Sequence, residues 1–544
     1  MVSVDLFTTL CLGTIIVLVY HYLVKKYHYF LSKPIPCVKP TILVGTSGPL
    51  LFRKRDLATH MKVMYNAFPD AKIIGMYDLT SPIYMLRDPD MIKKLAMKDF
   101  DHFTDHGPYL TNGRTDDNAG GDSLFGNSLF AMRGQKWRDM RATLSPAFTG
   151  SRMRPIFELV TKCGRSMATF FKEEARAGRK LEYEIKDTFQ RYGNDVIATV
   201  AFGIEVDSMR DYNNEFFEMA TKMLSFSSWK MVPLMVIMRV LAALGQKTNM
   251  DFMDSKLSDH FKKMIRDNMK QREVNKIVRN DMINILMEVR NGSLKHRQDE
   301  QDTKDAGFAT VEESSVGKTT HSRKWTDNEL FAQCFLFFIA GFDTASTLMS
   351  FLAYELSVNP EIQERLHEEI RQTEDSLKTN PLSYEVLQKM QYLDQVVSEA
   401  LRKWSPNMQL DRYCRKDYLY DDNAGTRFVI EQGHMVVIPV IAMHHDPQYF
   451  PEPERFDPER FSEENRSKIN TGAYLPFGVG PRNCIGSRLA LMEVKSIFYH
   501  LVRDFRLVLS EKTQIPLKMA KHPFALLVEG GLWVEFKPRS GINE

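Results

Sequence analysis

The stretch PFGVGPRNCIGSRLALMEVKS, residues 476–496, decides how this chain is read. Gly478, Gly480 and Pro481 punctuate a loop, and Cys484 stands just ahead of an amphipathic helical pattern. A cysteine so placed suits a thiolate: the N–H groups and positive end of the following helix favour negative sulfur, and Arg482 adds charge. The glycines let the backbone come close to a flat ligand. A lone cysteine is ordinarily a small buried hydrophobe, so the reading turns on its neighbours.

Those neighbours form a pattern. Phe477, Gly480, Arg482, Cys484 and Gly486 fill FxxGxRxCxG in full, and the segment resembles the haem-binding loop of the cytochrome P450 family. The resemblance implies a mainly α fold with small β-sheets. It also implies haem b (iron protoporphyrin IX) as cofactor, Cys484 as axial ligand of its iron, and Phe477, Arg482 and Gly486 as haem contacts. A thiolate in that position favours O–O cleavage.

Upstream of the loop, PERF (458–461) and EALR (399–402) stand in the order that the family keeps. Glu399 and Arg402, three apart, share a helix face, and an exposed pair of that kind contributes only a few tenths of a kcal/mol. The resemblance instead assigns Glu399, Arg402 and Arg460 to a buried charged triad that holds the cysteine loop, a structural role. AGFDT (340–344) lies inside a long predicted helix that begins at a capping box, Thr326 with Glu329, with Trp325 and Leu330 as a hydrophobic staple. No proline interrupts it before Pro360, and its middle, CFLFFIAGF (334–342), is apolar on all sides and therefore expected to be buried. Ala340 and Gly341 are small enough for a ligand to approach the helix. The motif resembles the family's oxygen-activation segment, which implies Asp343 and Thr344 as catalytic proton-relay groups. Ala345 stands where a second Thr is frequent.

Trp137 and Arg141, four apart, present an indole N–H and a guanidinium on one face, able together to bind a carboxylate. The resemblance makes that carboxylate a haem propionate, with Arg412 and Arg482 as further propionate contacts. It covers roughly residues 34–540. FDHFTDH (100–106) and WRDMRATLSPAFTG (137–150) look like insect microsomal members of family nine, a group linked to detoxification. The family layout points to Tyr109, Phe125, Phe337, Phe338, Met408 and Phe524 as substrate-lining positions.

At the other end, Leu6–Val24 is apolar over 19 residues and is followed by Lys25 and Lys26. A helix of that length spans about 28 Å, close to a hydrocarbon core. The lysine pair orients the rest of the chain toward the cytosol. A cleaved signal peptide would want a basic start and a small-residue cleavage site, and neither is present. Residues 1–30 are therefore expected to be a single transmembrane anchor, 31–45 a proline-containing hinge, and 46–544 the catalytic domain. The expected location is the endoplasmic reticulum membrane, with the catalytic domain facing the cytosol.

With 72 basic and 69 acidic residues the chain gives no reason to expect nucleic acid as a partner. β-like runs occur near 72–86, 427–440 and 524–536. Helical periodicity marks 151–178 and 251–290, and polar residues 291–325 read as a flexible surface loop. No GxGxxG or P-loop is present, so electrons must come from outside. By resemblance they come from NADPH through NADPH–cytochrome P450 reductase, with cytochrome b5 as a further donor. Arg133, Lys136, Arg138 and Lys495 are expected to steer such acidic partners.

The expected function is monooxygenation of lipophilic small molecules, xenobiotics such as insecticides or plant toxins. Oxidation of an endogenous hormone or lipid is compatible with the same residues. A peroxide-isomerising relative usually lacks an intact acid–threonine pair, and a haem sensor needs no proton relay, so Asp343–Thr344 argues against both.

Overall fold

Thr326 does cap the longest helix. Its hydroxyl accepts from the Glu329 N–H while the Glu329 carboxylate reaches back to the Thr326 N–H, so the helix starts at Asp327. It runs to Val358, two residues short of Pro360, which cannot continue the hydrogen-bond ladder. This helix is the frame of the computed structural model, which describes residues 2–107, 121–224, 237, 254–292, 307–311, 323–422 and 425–539.

In chain order the principal helices are α1 (Val2–Tyr27), α2 (Gly134–Leu144), α3 (Gly150–Arg176), α4 (Ile185–Ile197), α5 (Glu215–Leu224), α6 (Ser255–Asn275) and α7 (Met282–Arg290). They continue with α8 (Asp327–Val358), α9 (Pro360–Leu377), α10 (Gln391–Lys403) and α11 (Ser487–Asp504). The strands are β1 (Ile73–Asp78), β2 (Ser81–Leu86), β3 (Glu182–Glu184), β4 (Leu410–Tyr413), β5 (Tyr418–Asp421), β6 (Arg427–Ile430), β7 (Met435–Ile438), β8 (Phe505–Leu509) and β9 (Trp533–Pro538).

The chain forms two compact units. One comprises Met1–Gly107, Met408–Ala442 and Lys521–Phe524. It is built on a sheet of order β1-β2-β7-β4, antiparallel except where β2 pairs β7 in parallel, with a separate β5-β6 hairpin. Residues of the expected hinge lie along β1: the Gly75 N–H donates to the Pro36 carbonyl and the Val38 N–H to that of Gly75. Gly75 is required there, because a Cβ would sit 2.7 Å from the buried Phe30 ring.

The other unit comprises Pro108–Asn407, Met443–Ala520 and Ala525–Glu544. It holds α2 to α11 and a sheet of order β3-β9-β8. Within it α4 packs along α8, and α3 along α11. The most apolar stretch of α8 is long enough to cross a membrane, yet most of it is buried in this core.

The structure refines several expectations. The run at 72–86 is β as expected, in two strands turned at Leu79, whose φ is +53°. Of 524–536 only the end is strand, because Gly530 and Gly531, both with φ near +80°, turn the chain ahead of β9. The helical pattern after 251 breaks at Lys276 in the left-handed region, and Arg272 clasps Asp281 across the break at 2.6 and 2.7 Å. The loop read as flexible contains a packed piece. Gly307–Val311 lies against the body, with the Phe308 ring 5.1 Å from that of Phe461.

Glu493 on α11 is buried, and its Oε1 accepts no hydrogen bond among the described residues. Burial pushes its pKa from 4.5 up to about 8. Below 4.5 the acid is neutral whether folded or unfolded. Between 4.5 and about 8 the unfolded chain releases the proton that the folded chain keeps, so stability falls as pH rises. Glu493→Gln removes that loss. The variant is expected to match the parent near pH 4.5 and to exceed it by ~4 kcal/mol at pH 8, read by denaturation across that range.

Candidate active site

The cysteine loop is shaped by its glycines. Gly478 and Gly480 adopt φ of +82° and +72°, a region that side chains other than hydrogen rarely enter. A 3₁₀ turn at Gly480–Arg482 follows, the Cys484 N–H donates to the Phe477 carbonyl at 2.8 Å, and α11 begins at Ser487. Pro481, Asn483 and Ser487 are buried, whereas the Cys484 side chain is exposed between them.

The sulfur is reachable but lies deep in its unit, and desolvation pushes the thiol pKa up; the Gly486 N–H and the Arg141 guanidinium pull it down. The expected helper was Arg482. Its guanidinium instead donates to the carbonyls of Leu129, Phe130 and Met132 at 3.1, 3.2 and 2.6 Å, and stacks 4.1 Å from the Trp137 ring. Three carbonyls outcompete one sulfur for that cation. Arg141 takes the nearer place, donating to the Asn483 carbonyl and side-chain oxygens at 2.8 and 2.7 Å.

Behind the loop the expected triad is assembled. Arg402 meets Glu399 through two hydrogen bonds of 2.7 and 2.8 Å, both side chains wholly buried, and Arg460 Nε lies 3.5 Å from Glu399 Oε1. The Asp457 N–H donates to the same carboxylate. Arg402 also donates to the carbonyls of His444, Pro453 and Arg455, and His444 in turn accepts from the Leu475 N–H on the approach to the cysteine loop.

The middle of α8 is not buried on all sides. Ala340 and Thr344, one turn apart, are exposed in a stretch whose neighbours are buried or half-buried, and Thr344 Oγ1 donates back to the Ala340 carbonyl at 2.6 Å. Phe337, one turn before Ala340, touches Phe148 at 5.3 Å between centroids. Phe148 also lies against Gly486, 3.9 Å from where a Cβ would be. The chain Phe337–Phe148–Gly486 therefore joins the accessible face of α8 to the cysteine loop.

At Gly341 the close neighbour is α4. A Cβ there would sit 2.4 Å from Ile197 Cδ1 on α4, so this glycine allows two helices to approach. Gly341→Ala is expected to cost about 1–3 kcal/mol through overpacking. Ile197→Val, which removes the obstructing methyl, should recover most of it in a double-mutant cycle of thermal melts.

Asp343 faces α4 as well. Its Oδ1 pairs with Lys186 Nζ at 2.8 Å, and the same ammonium donates to Ser346 and Thr347 hydroxyls at 2.9 and 2.6 Å. Acid and alcohol thus stand about 100° apart around the helix.

A sequence model described as Cytochrome P450 matches residues 39–533. The curated relatives include "Cytochrome P450 9e2" of Blattella germanica, 39% identical over 98% of both chains. "Probable cytochrome P450 9f2" of Drosophila melanogaster is 38% identical over 94% of this chain and 95% of its own. "Cytochrome P450 9c1" of the same fly is 39% identical over 96% and 97%.

The chain belongs to the cytochrome P450 family. It is a monooxygenase of the oxidoreductase class, and its similarity runs to insect family-nine members over nearly full length. The family implies haem iron, and the residues present fit it: an accessible thiol at a helix start, and a face of small residues on the long helix joined to it through Phe148.

The other expected P450 site residues divide between the two units. Phe338 is fully buried among Phe202, Phe216, Phe261 and Phe342, on the far side of α8 from Ala340, and is core packing. Phe125 is half-buried beside Phe130. In the first unit, Arg412 is buried on β4, Met408 is buried, and Phe524 is half exposed. Tyr109 lies outside the described residues.

The expected docking residues are mostly unsuited to that role. Arg133, Lys136 and Lys495 are buried, Lys136 paired with Glu329 and Lys495 with Asp394, each at 2.7 Å. Arg138 alone of the four is half exposed. Lys186, Phe148, His444 and Asn483 were missed. Each acts on a partner far away in sequence, and nothing in its local pattern marks it.

Proposed function

We propose that this P450 inserts one oxygen atom from dioxygen into lipophilic small molecules, with xenobiotics such as insecticides and plant toxins as its substrate class. The observation that carries the reading is the accessible Cys484 sulfur joined through Gly486, Phe148 and Phe337 to the Ala340–Thr344 face. Cys484 would hold the haem iron, with Trp137, Arg141 and Arg482 beside its propionates. When bound, the haem supplies oxygen activation, and the thiolate ligand favours O–O cleavage. Glu399, Arg402 and Arg460 hold the segments that carry the loop.

Thr344 presents its hydroxyl at the accessible face, already hydrogen-bonded to the Ala340 carbonyl, and can pass a proton on by rotating about χ1. Asp343, paired with Lys186, exchanges protons on the α4 side, and a water molecule would bridge the two. Phe337 and Phe125 supply apolar surface for the substrate. Electrons come from NADPH through NADPH–cytochrome P450 reductase, with cytochrome b5 as a second donor. We read α1 as the anchor in the endoplasmic reticulum membrane, because its apolar run ends at Lys25 and Lys26.

The test is co-expression with the reductase and a screen of lipophilic insecticides, plant toxins and steroid hormones for NADPH-dependent products. Broad turnover of foreign compounds is expected. Activity confined to a hormone or lipid would overturn the substrate class. Thr344→Ala should keep NADPH consumption within a few fold while most of it ends as hydrogen peroxide and not as product. Unchanged coupling would remove Thr344 from the relay.

A further inference from the structure

Of residues 293–322, five are described, and they are held at a built site. The Phe308 N–H donates to Asp394 Oδ2 on α10 at 2.9 Å, while Asp394 Oδ1 pairs with Lys495 of α11 at 2.7 Å. The ammonium of Lys495 is wholly buried, so this carboxylate is fixed on one side by a lysine and on the other by the segment's backbone. Gly307 has φ +91°, and a Cβ there would fall 2.3 Å from Asp394 Oδ1 and 3.0 Å from Lys495 Nζ. Only glycine fits, in both conformation and space. The Thr310 N–H closes a turn onto the Gly307 carbonyl, and Ala309 is buried.

The side chain at 308 completes an aromatic cluster. Its ring lies 5.1 Å from Phe461 and 5.6 Å from Tyr474. Tyr474 stacks on His444 at 5.4 Å, and its hydroxyl donates to the Ser398 carbonyl at 2.9 Å. Phe461 adjoins Arg460, Ser398 adjoins Glu399, and His444 bonds both the Arg402 carbonyl and the Leu475 N–H. The segment thus presses on the residues that join the charged triad to the start of the cysteine loop.

We propose that Gly307–Val311 is an intrachain strap that positions the cysteine loop: Phe308 clamps Phe461 and Tyr474 over the triad, and Asp394 with Lys495 forms the receptor for the strap's backbone. Phe308 is a positioning residue, acting on Cys484 only through this wall. The inference rests on the haem-thiolate reading for its effect and on the strap's own contacts for its existence.

Two measurements keep those apart. Hydrogen exchange on the full chain reads the strap without reference to haem: the Phe308 amide should be protected in the parent and exposed by Asp394→Ala. Fast exchange in the parent overturns the strap. The second measurement follows the ferrous–CO spectrum during mild warming, as the thiolate-ligated form gives way to the thiol-ligated one. Phe308→Ala and Gly307→Val should speed that conversion about tenfold, the scale of losing two aromatic contacts, while Phe308→Tyr stays near the parent. In a chain whose residues 307–311 are replaced by GSGSG, a peptide of residues 305–313 (DAGFATVEE) should slow the conversion again, and the same peptide with Ala at 308 should not. Conversion equal to the parent in Phe308→Ala, or no effect of either peptide, overturns the positioning role. A parent without any thiolate-ligated spectrum defeats the haem-thiolate reading and leaves the exchange result standing.

Discussion

Arg402→Ala is expected to unfold this protein or leave it unable to hold haem. Arg402 and Glu399 are wholly buried, and the guanidinium makes two bonds to the carboxylate and three to backbone carbonyls. Burial pushes the Glu399 pKa up, opposed by Arg402, the Asp457 N–H and Arg460. Removing Arg402 leaves a buried carboxylate compensated mainly by Arg460 at 3.5 Å, and strands three carbonyls. Breaking a buried pair from one side costs about 3–5 kcal/mol, a large part of the stability of an ordinary domain. Arg402→Lys should rescue little, because an ammonium cannot reach five acceptors in one plane. The paired change Glu399→Gln with Arg402→Met should lose less than Arg402→Ala alone, since no charge is stranded. Soluble yield and melting temperature measure this, and a melting temperature for Arg402→Ala equal to the parent's would refute it.

Cys484→Ala is expected to behave in the opposite way, erasing activity and leaving the fold intact. The side chain is exposed, and the bond that shapes the loop there is made by its backbone N–H to Phe477. Apo-chain stability should change by less than ~0.5 kcal/mol. The thiolate-ligated ferrous–CO spectrum should vanish, and NADPH-dependent product should fall to background. A variant that kept the spectrum would show that another residue holds the iron. The two substitutions together separate groups that build the site from the group that reacts in it.

Much of this was legible without coordinates because motif residues carry their constraints locally. The capping box at Thr326 and Glu329, the proline after α8, and the glycines of the cysteine loop each answer to the backbone within a few residues. The same locality misled where two side chains of one type competed. Arg482 and Arg141 are equally cationic in a sequence, and only the carbonyls at 129, 130 and 132 decide that Arg482 turns from the sulfur. The β-like run ahead of β9 failed for a related reason: apolar content says nothing about Gly530 and Gly531 taking positive φ.

By itself the amino-acid order determined the shape of the cysteine loop, the acid and alcohol on the long helix, the buried triad and the family. Tertiary structure alone decided that Gly341 answers to Ile197, that Asp343 is tied to Lys186, that Phe338 is core, and that five residues of a polar loop are clamped at Asp394. The reason is physical. Bonding capacity belongs to a residue and can be read from its type and spacing, whereas direction and partner depend on groups brought close from far away in the sequence. No periodicity or motif records that proximity.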